Sequence, residues 1–436
     1  MTLSRAMRFA PAQSAAFVGA GGKTAAIFQL ARQLAPPVVV SVTTHLGRWQ
    51  FNLADHHLMA SEIEDLRIED FEGVQLITGG LNEPDRVGGL DARVLSWLRE
   101  RCLEKGYSFL LEADGAHQKA LKAPAEHEPA ISVPVDIVAV TAGLSGLGRP
   151  LTGEFVHRPE IFGQLAGLGA GQTVTAQALA RVLIHPQGGL KNIPPGARRI
   201  ALLTQVDTPA LQARAGQLAT SLLPDFDAVI TASLEQQKIW SAHEPVAAIV
   251  LAAGRSSRFG QPKQLLEWRG QPFVRAVART ALEAGLLTLV VIGSDAAGVE
   301  SALRDLPVQI VRNEQWSAGQ STSIREGINA LPAGTGAAIF LLADQPHIPA
   351  AVLRALAEAH SAGLPTIVAP LVRGETRANP VLFDRSTFPD LLDLQGDTGG
   401  RAIFSKYKIE FMPWHDEGLL LDVDTPEDLG RLRELE

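Results

Sequence analysis

Leu251-Ala252-Ala253-Gly254-Arg255-Ser256-Ser257-Arg258-Phe259-Gly260-Gln261-Pro262-Lys263 is the stretch whose reading decides how the second half of this chain folds. It follows the apolar run 247–251, so a buried strand ends in a loop of small residues carrying two arginines and a lysine. Ala252, Ala253, Gly254 and Gly260 let backbone N–H groups approach a ligand closely, and Arg258 and Lys263 supply charge for a triphosphate. The pattern fixes small residues, cations and chain position together, which makes it more specific than a lone glycine loop.

Working outward, apolar strand-like runs alternate with helical patterns along the whole chain, the mark of an α/β protein with mostly parallel sheets. In the first half they fall at 15–18, 38–42, 109–111, 137–140, 200–203 and 228–230. In the second half they fall at 247–251, 289–292, 309–311, 338–342, 366–369 and 381–383. Pro245 precedes a fresh strand and a fresh loop motif, so the expected domains are 1–245 and 246–436. The 436 residues, 46% hydrophobic and 20% charged, suffice for two such cores. A net charge of −8 excludes broad nucleic-acid binding, which needs a basic face to displace counterions. One cysteine, Cys102, excludes an internal disulfide and a cysteine-rich zinc site. With no membrane-length apolar run and no secretory leader at residues 1–12, the expected location is cytoplasmic, with no membrane partner.

Four segments of the second half carry chemistry. The opening loop offers Leu251, Ala252, Ala253, Gly254, Arg258, Gly260 and Lys263 to a nucleotide. Gly319-Gln320-Ser321-Thr322-Ser323 opens a helix, where free N–H groups and hydroxyls either bind a base or phosphate or simply cap the helix. Asp344, just beyond the run 338–342, stands where open α/β sheets bind ligands. Thr425-Pro426-Glu427-Asp428 reads as a capping box with proline at the first helical position, which leaves Asp424 over, and Asp422 in reserve.

On these motifs the second half resembles the molybdenum cofactor nucleotidyltransferases, most nearly the cytidylyltransferase (MocA-like) branch. The resemblance implies a Rossmann-like nucleotidyltransferase (GT-A-like) domain with a mostly parallel sheet. It implies Ser321 at the nucleotide, Asp344 and Asp424 on Mg²⁺, and Arg258, Lys263 and Asp344 as catalytic groups. Within the family alanine at the third loop position, here Ala253, goes with CTP, and glycine goes with GTP. The acceptor implied is Mo-molybdopterin. Arg377-Ala378-Asn379-Pro380 resembles the segment near the pterin, where a G-H-P sequence is more usual, so Asn379 and Pro380 are acceptor candidates. Gly396-Asp397-Thr398-Gly399-Gly400-Arg401 resembles another family loop, giving Asp397 and Arg401 as further candidates, though a glycine turn also explains it.

In the first half, Phe17-Val18-Gly19-Ala20-Gly21-Gly22-Lys23-Thr24 follows a strand and opens a helix. Its end matches a Walker A loop, while Phe17 stands where a full motif has glycine, so the loop is P-loop-like. Glu112 and Asp114 follow the run 109–111 as a Walker B element would, and Thr204-Gln205-Val206-Asp207 resembles a degraded base-reading motif. The expected nucleotide site is therefore Gly19, Gly21, Gly22, Lys23, Thr24, Glu112 and Asp114, taking ATP or GTP. The histidines at 45, 56, 57, 117, 127 and 157 fit no tight metal-ligand spacing. Together with the segments 121–129 and 156–160, these features resemble the YqeC family, accessory to selenium-dependent molybdenum hydroxylases. That resemblance implies a P-loop-NTPase-like three-layer domain and a molybdenum hydroxylase apoenzyme as partner.

The functional expectation is a Mg²⁺-dependent transfer of CMP from CTP to molybdopterin, fused to an accessory nucleotide-binding domain. Two alternatives stay open: another phosphate acceptor or GTP on the same fold, and a cofactor-insertion chaperone with a nucleotide switch.

Overall fold

The computed structural model describes residues 1–255 and 262–434; Arg258 and Gly260 of the opening loop lie outside the described residues. The chain forms two compact units, Met1–His243 and Glu244–Glu436.

The first unit is built on a nine-stranded sheet. In spatial order its strands are Lys238–His243, Ala228–Ser233, Arg198–Thr204, Ile137–Gly143, Ser14–Gly19, Ser108–Glu112, Val38–Val42, Val74–Thr78 and His56–Met59. All neighbours are parallel except the edge strand Lys238–His243. A parallel sheet must be covered on both faces, and the central strand shows how. Ala16 and Val18 join a core with Leu95 and Leu98 of the helix Ala92–Glu104. Ala15 and Phe17 point the other way and are as deeply buried, and the helix Lys23–Ala31 packs on its own strand as well as Val38–Val42 and Ser108–Glu112. Helix starts follow local rules: Asp91 accepts the Arg93 N–H at 2.8 Å, and Thr208 caps a helix opening at Pro209.

The second unit holds an eight-stranded mixed sheet. Its path runs Gln309–Arg312, Leu287–Ile292, Val246–Ala252, Ala337–Leu342, Val381–Asp384, Ile367–Val372 and Thr376–Arg377; Ile409–Trp414 pairs with Ile367–Val372 in parallel. Val246–Ala252 lies between two parallel neighbours, with Leu251 level with Leu342, so the opening loop and Asp344 leave the sheet side by side. The helices Phe273–Glu283 and Ala350–Gly363 share one core, and Gln320–Asn329 packs on the other face. Both units are thus α/β with mostly parallel sheets.

Among the described strands of four or more residues, four were not read from the sequence: His56–Met59, Val74–Thr78, Lys238–His243 and Ile409–Trp414. The first is partly exposed, the last carries Pro413, and Lys238–His243 is a mixed-polarity antiparallel edge. Val74–Thr78 is fully buried, but Gln75 interrupts its apolar run. Among the described residues no helix is long and apolar enough to cross a membrane.

Candidate functional sites

At the carboxyl ends of Val246–Ala252 and Ala337–Leu342 lies a cavity of about 640 Å³, lined by Leu251, Ala252, Ala253, Gly254, Arg255, Lys263, Gln264, the segment 316–320, Ser323, Leu342, Ala343, Asp344, Asp397 and Asp424. The size and position suit a nucleotide. Lys263 opens a short turn, and its Nζ donates to Asp344 Oδ2 and to Asp424 Oδ1, each at 2.7 Å. Burial works against the Lys263 ammonium, but the two carboxylates outweigh it and hold its pKa above the ordinary lysine value. Asp344 Oδ1 is buried with no hydrogen-bond partner. An unsatisfied carboxylate oxygen beside a second carboxylate fits a magnesium ion, which takes one or two protein carboxylates and fills its remaining positions from phosphates and water. Asp422 stands behind this pair: its Oδ1 accepts from Gln345 Nε2, and burial, reinforced by Asp344 and Asp424, raises its carboxyl above the usual range.

The helix Gln320–Asn329 differs from the sequence reading in one hydroxyl. Ser321 is buried and donates to the Gly396 carbonyl at 2.7 Å, outside the cavity lining, while Ser323 lines it. Asn313 fixes this arrangement by donating to Thr322 Oγ1 and Ser323 Oγ at 2.8 and 2.9 Å. Gly319 has φ +117°, and a Cβ there would lie 2.3 Å from the Gly396 carbonyl carbon, so only glycine permits the approach. Thr425 and Asp428 form the capping box, and Asp424 is left free of it to meet Lys263. Of the acceptor candidates, Asp397 lines the cavity and accepts the Gln320 N–H at 3.3 Å. Arg401 donates to Asn379 Oδ1 at 3.3 Å; these two and Pro380 are not among the lining residues.

In the first unit the loop Gly19–Gly22 turns through positive φ at Gly19, Gly21 and Gly22. A Cβ on Gly19 would meet the Thr141 carbonyl oxygen at 2.2 Å. Lys23 Nζ donates to the Gly19 carbonyl at 2.7 Å and stands 3.1 Å from Asp114 and 3.8 Å from Glu112. Thr24 Oγ1 donates to Glu112 Oε2 at 2.8 Å, and Asp114 Oδ2 accepts the Gly19 N–H at 2.9 Å. The seven residues named from the sequence therefore converge. Burial opposes the Lys23 charge, yet Asp114 and Glu112 raise its pKa; burial also holds the Glu112 carboxyl high despite Lys23. Thr204 Oγ1 donates to the Gly21 carbonyl at 2.5 Å, so this residue of the degraded base-reading motif braces the loop.

Two family models match separate parts of the chain: YqeC protein over residues 15–160, and MobA-like NTP transferase domain over residues 248–410. The uncharacterized protein YqeC of Escherichia coli is 32% identical over 42% of this chain and 72% of its own length. Nicotine blue oxidoreductase of Paenarthrobacter nicotinovorans is 31% identical over 43% of this chain and 96% of its own. This chain is a YqeC domain fused to a MobA-like NTP transferase domain. The purine catabolism protein PucB of Bacillus subtilis, 30% identical over 42% of this chain and 94% of its own length, is a further relative. The transferase domain is a nucleotidyltransferase enzyme.

The YqeC domain holds functional-type residues that sequence reading quoted without a role. Lys122 Nζ donates to Asp114 Oδ2 at 2.9 Å, Gly115 O at 2.6 Å and Glu128 Oε2 at 2.9 Å. Arg158 grips both oxygens of Glu128, at 2.6 and 3.1 Å. Burial pushes the Glu128 carboxyl up, but Lys122 and Arg158 overcome it and pull its pKa down to about 2. Lys122 meets Asp114 and Glu128 within one short segment, whereas Arg158 comes to Glu128 across thirty positions, beside the short strand pair Leu121–Lys122 and Val156–His157, a proximity that no local pattern signals.

Proposed function

We propose that the transferase domain moves CMP from CTP to the terminal phosphate of Mo-molybdopterin, giving molybdopterin cytosine dinucleotide and pyrophosphate. The observation that carries this reading is Lys263 held between Asp344 and Asp424 in the lining of a nucleotide-sized cavity that Ala253 also lines.

The chemistry calls for positioning and charge neutralisation rather than a protein nucleophile. A phosphate oxygen of the acceptor attacks the α-phosphorus of CTP; that P–O bond forms as the bond to the bridging oxygen of pyrophosphate breaks, and pyrophosphate leaves with the electron pair. Lys263 neutralises charge on the departing phosphates. Asp344 and Asp424 would hold Mg²⁺, which supplies Lewis-acid stabilisation of the phosphates when bound. Ala253 lines the cavity, and alanine at this loop position supports CTP over GTP through the family resemblance. Asp397, which also lines the cavity, is the residue we assign to the acceptor.

The test is pyrophosphate release from CTP or GTP with molybdopterin, with Asp344→Ala as control. CTP is turned over much faster than GTP, and the variant loses most activity. Equal use of both nucleotides removes the cytidine assignment, and turnover of a sugar phosphate instead of molybdopterin removes the acceptor.

A further inference from the structure

We propose that the YqeC domain binds a nucleoside triphosphate at Gly19–Thr24 and that Lys122, alongside the loop lysine, reads the terminal phosphate. This inference concerns a different unit from the transferase cavity and stands or falls independently of it.

Three cations, Lys23, Lys122 and Arg158, interlock with three carboxylates, Glu112, Asp114 and Glu128, and all but the Arg158 and Glu112 side chains are under 8% exposed. Burying that many charges is costly, and apolar residues of similar volume would hold a fold as well. Such clusters mark sites where charge is used. Two further atoms point to a missing ligand. Thr141 Oγ1 is buried, on the strand paired with Gly19, and has no hydrogen-bond partner; Asp114 Oδ1 likewise has none and rests only against the Lys23 charge. Both residues border, with Gly19 and Lys122, a cavity of about 30 Å³ beside the loop, room for one water-sized group. The nine-residue helix Lys23–Ala31 starts at the same point, with the N–H groups of its first turn lacking partners inside the helix.

The geometry orders the phosphates. A phosphate chain laid along the loop has its inner groups at the first-turn N–H groups of Lys23 and Thr24 and its outer end toward Gly19. That end is where Asp114 ties Lys122 to the Gly19 N–H, at 2.9 Å each. Thr24 and Glu112, already hydrogen-bonded to each other, are the oxygen donors that fit an accompanying divalent cation. The cluster is balanced in charge without a ligand. A triphosphate adds negative charge at Gly19, and Lys122 turns from Asp114 to meet it; a diphosphate ends short of Lys122 and gains only from Lys23.

The full-length chain is titrated calorimetrically with ATP, ADP, GTP and GDP in the presence of Mg²⁺. Heat abolished by Lys23→Ala is assigned to this site. The wild type prefers triphosphate to diphosphate by about tenfold or more, the worth of one charge-assisted hydrogen bond. The double variant Lys122→Gln/Glu128→Gln removes one charge of each sign. It binds diphosphate as the wild type does and loses the triphosphate preference. A preference unchanged in that variant, or titrations that Lys23→Ala does not alter, overturn the proposal. A measurement on the wild type keeps the question open to refutation if the variant fails to fold. An acyl phosphate of ATP transfers its acyl group to a lysine amine at the terminal phosphate and releases ATP, and peptide mapping then finds the label on Lys122. Label on Lys23 alone, or on neither lysine, refutes the role of Lys122.

Discussion

The two domains solve one problem with opposite settings. In each, a buried strand ends in a loop of small residues, and a lysine from that loop rests on two carboxylates that follow neighbouring strands or turns. Lys263 meets Asp344 and Asp424, whose side chains are 28% and 56% exposed, at the mouth of an open cavity. Lys23 meets Asp114 and Glu112, 2% and 14% exposed, and its cage is closed from behind by Lys122, Glu128 and Arg158. The contrast teaches that a lysine–carboxylate cluster can be displaced easily only where water reaches it. In the transferase domain a nucleotide replaces solvent. A nucleotide bound in the YqeC domain, as proposed above, would have to replace internal partners, which couples its binding to rearrangement of the cluster.

The sharpest way to break this comparison is to remove a carboxylate from the closed cluster. Glu128→Ala removes the carboxylate that Lys122 and Arg158 share, leaving the buried Lys122 only Asp114 and the Gly115 carbonyl, and lowers the stability of the YqeC domain by roughly 3 kcal/mol, read from denaturant unfolding. Asp344→Ala, in the open cluster, acts on catalysis instead: loss of one electrostatic stabiliser lowers pyrophosphate release by about 10²–10³-fold, and a smaller loss would say that Lys263 and Asp424 suffice. Ala253→Gly, at a position lining the cavity, moves the CTP-to-GTP ratio toward GTP by about tenfold, measured in the same assay.

A pH series sharpens the same contrast. Glu128 has a folded-state pKa of about 2, below its unfolded value of about 4.3, so its contribution is full above the unfolded value and fades as pH falls toward the folded one. The stability gap between wild type and Glu128→Gln therefore narrows from about pH 4.5 down to about pH 2, and a gap that holds constant contradicts the ion-pair account. The smallest effect belongs to the exposed partner: Asp424→Ala changes stability by less than about 1 kcal/mol, because solvent screens the pair it breaks.

How much of this was legible depends on the range of the interactions. Lys263 and Asp344 were readable because each follows its own strand at a fixed offset, and the parallel pairing of Val246–Ala252 with Ala337–Leu342 does the rest. The capping box accounts for Thr425 to Asp428 and leaves Asp422 and Asp424; it was the family resemblance that singled out Asp424. Ser321, expected at the nucleotide, turns to the Gly396 carbonyl, and Ser323 lines the cavity. A helix start shows which residues carry hydroxyls, but the Gly396 carbonyl decides which hydroxyl turns inward. Asn313, which orients Ser323, gives no local signal, and Lys122, Glu128 and Arg158 sat in quoted segments with nothing to say that they touch.

By itself the sequence determined the two α/β units, the strand that opens each, and the small-residue loops with their lysines, because these rest on apolar periodicity and on which residues tolerate positive φ or close backbone approach. Only the tertiary structure decided that one lysine faces a cavity and the other is locked among buried charges. Desolvation and ion pairing depend on what the rest of the chain places within a few ångströms: Arg158 meets Glu128 from thirty residues away, beside the two-residue strand pair Leu121–Lys122 and Val156–His157.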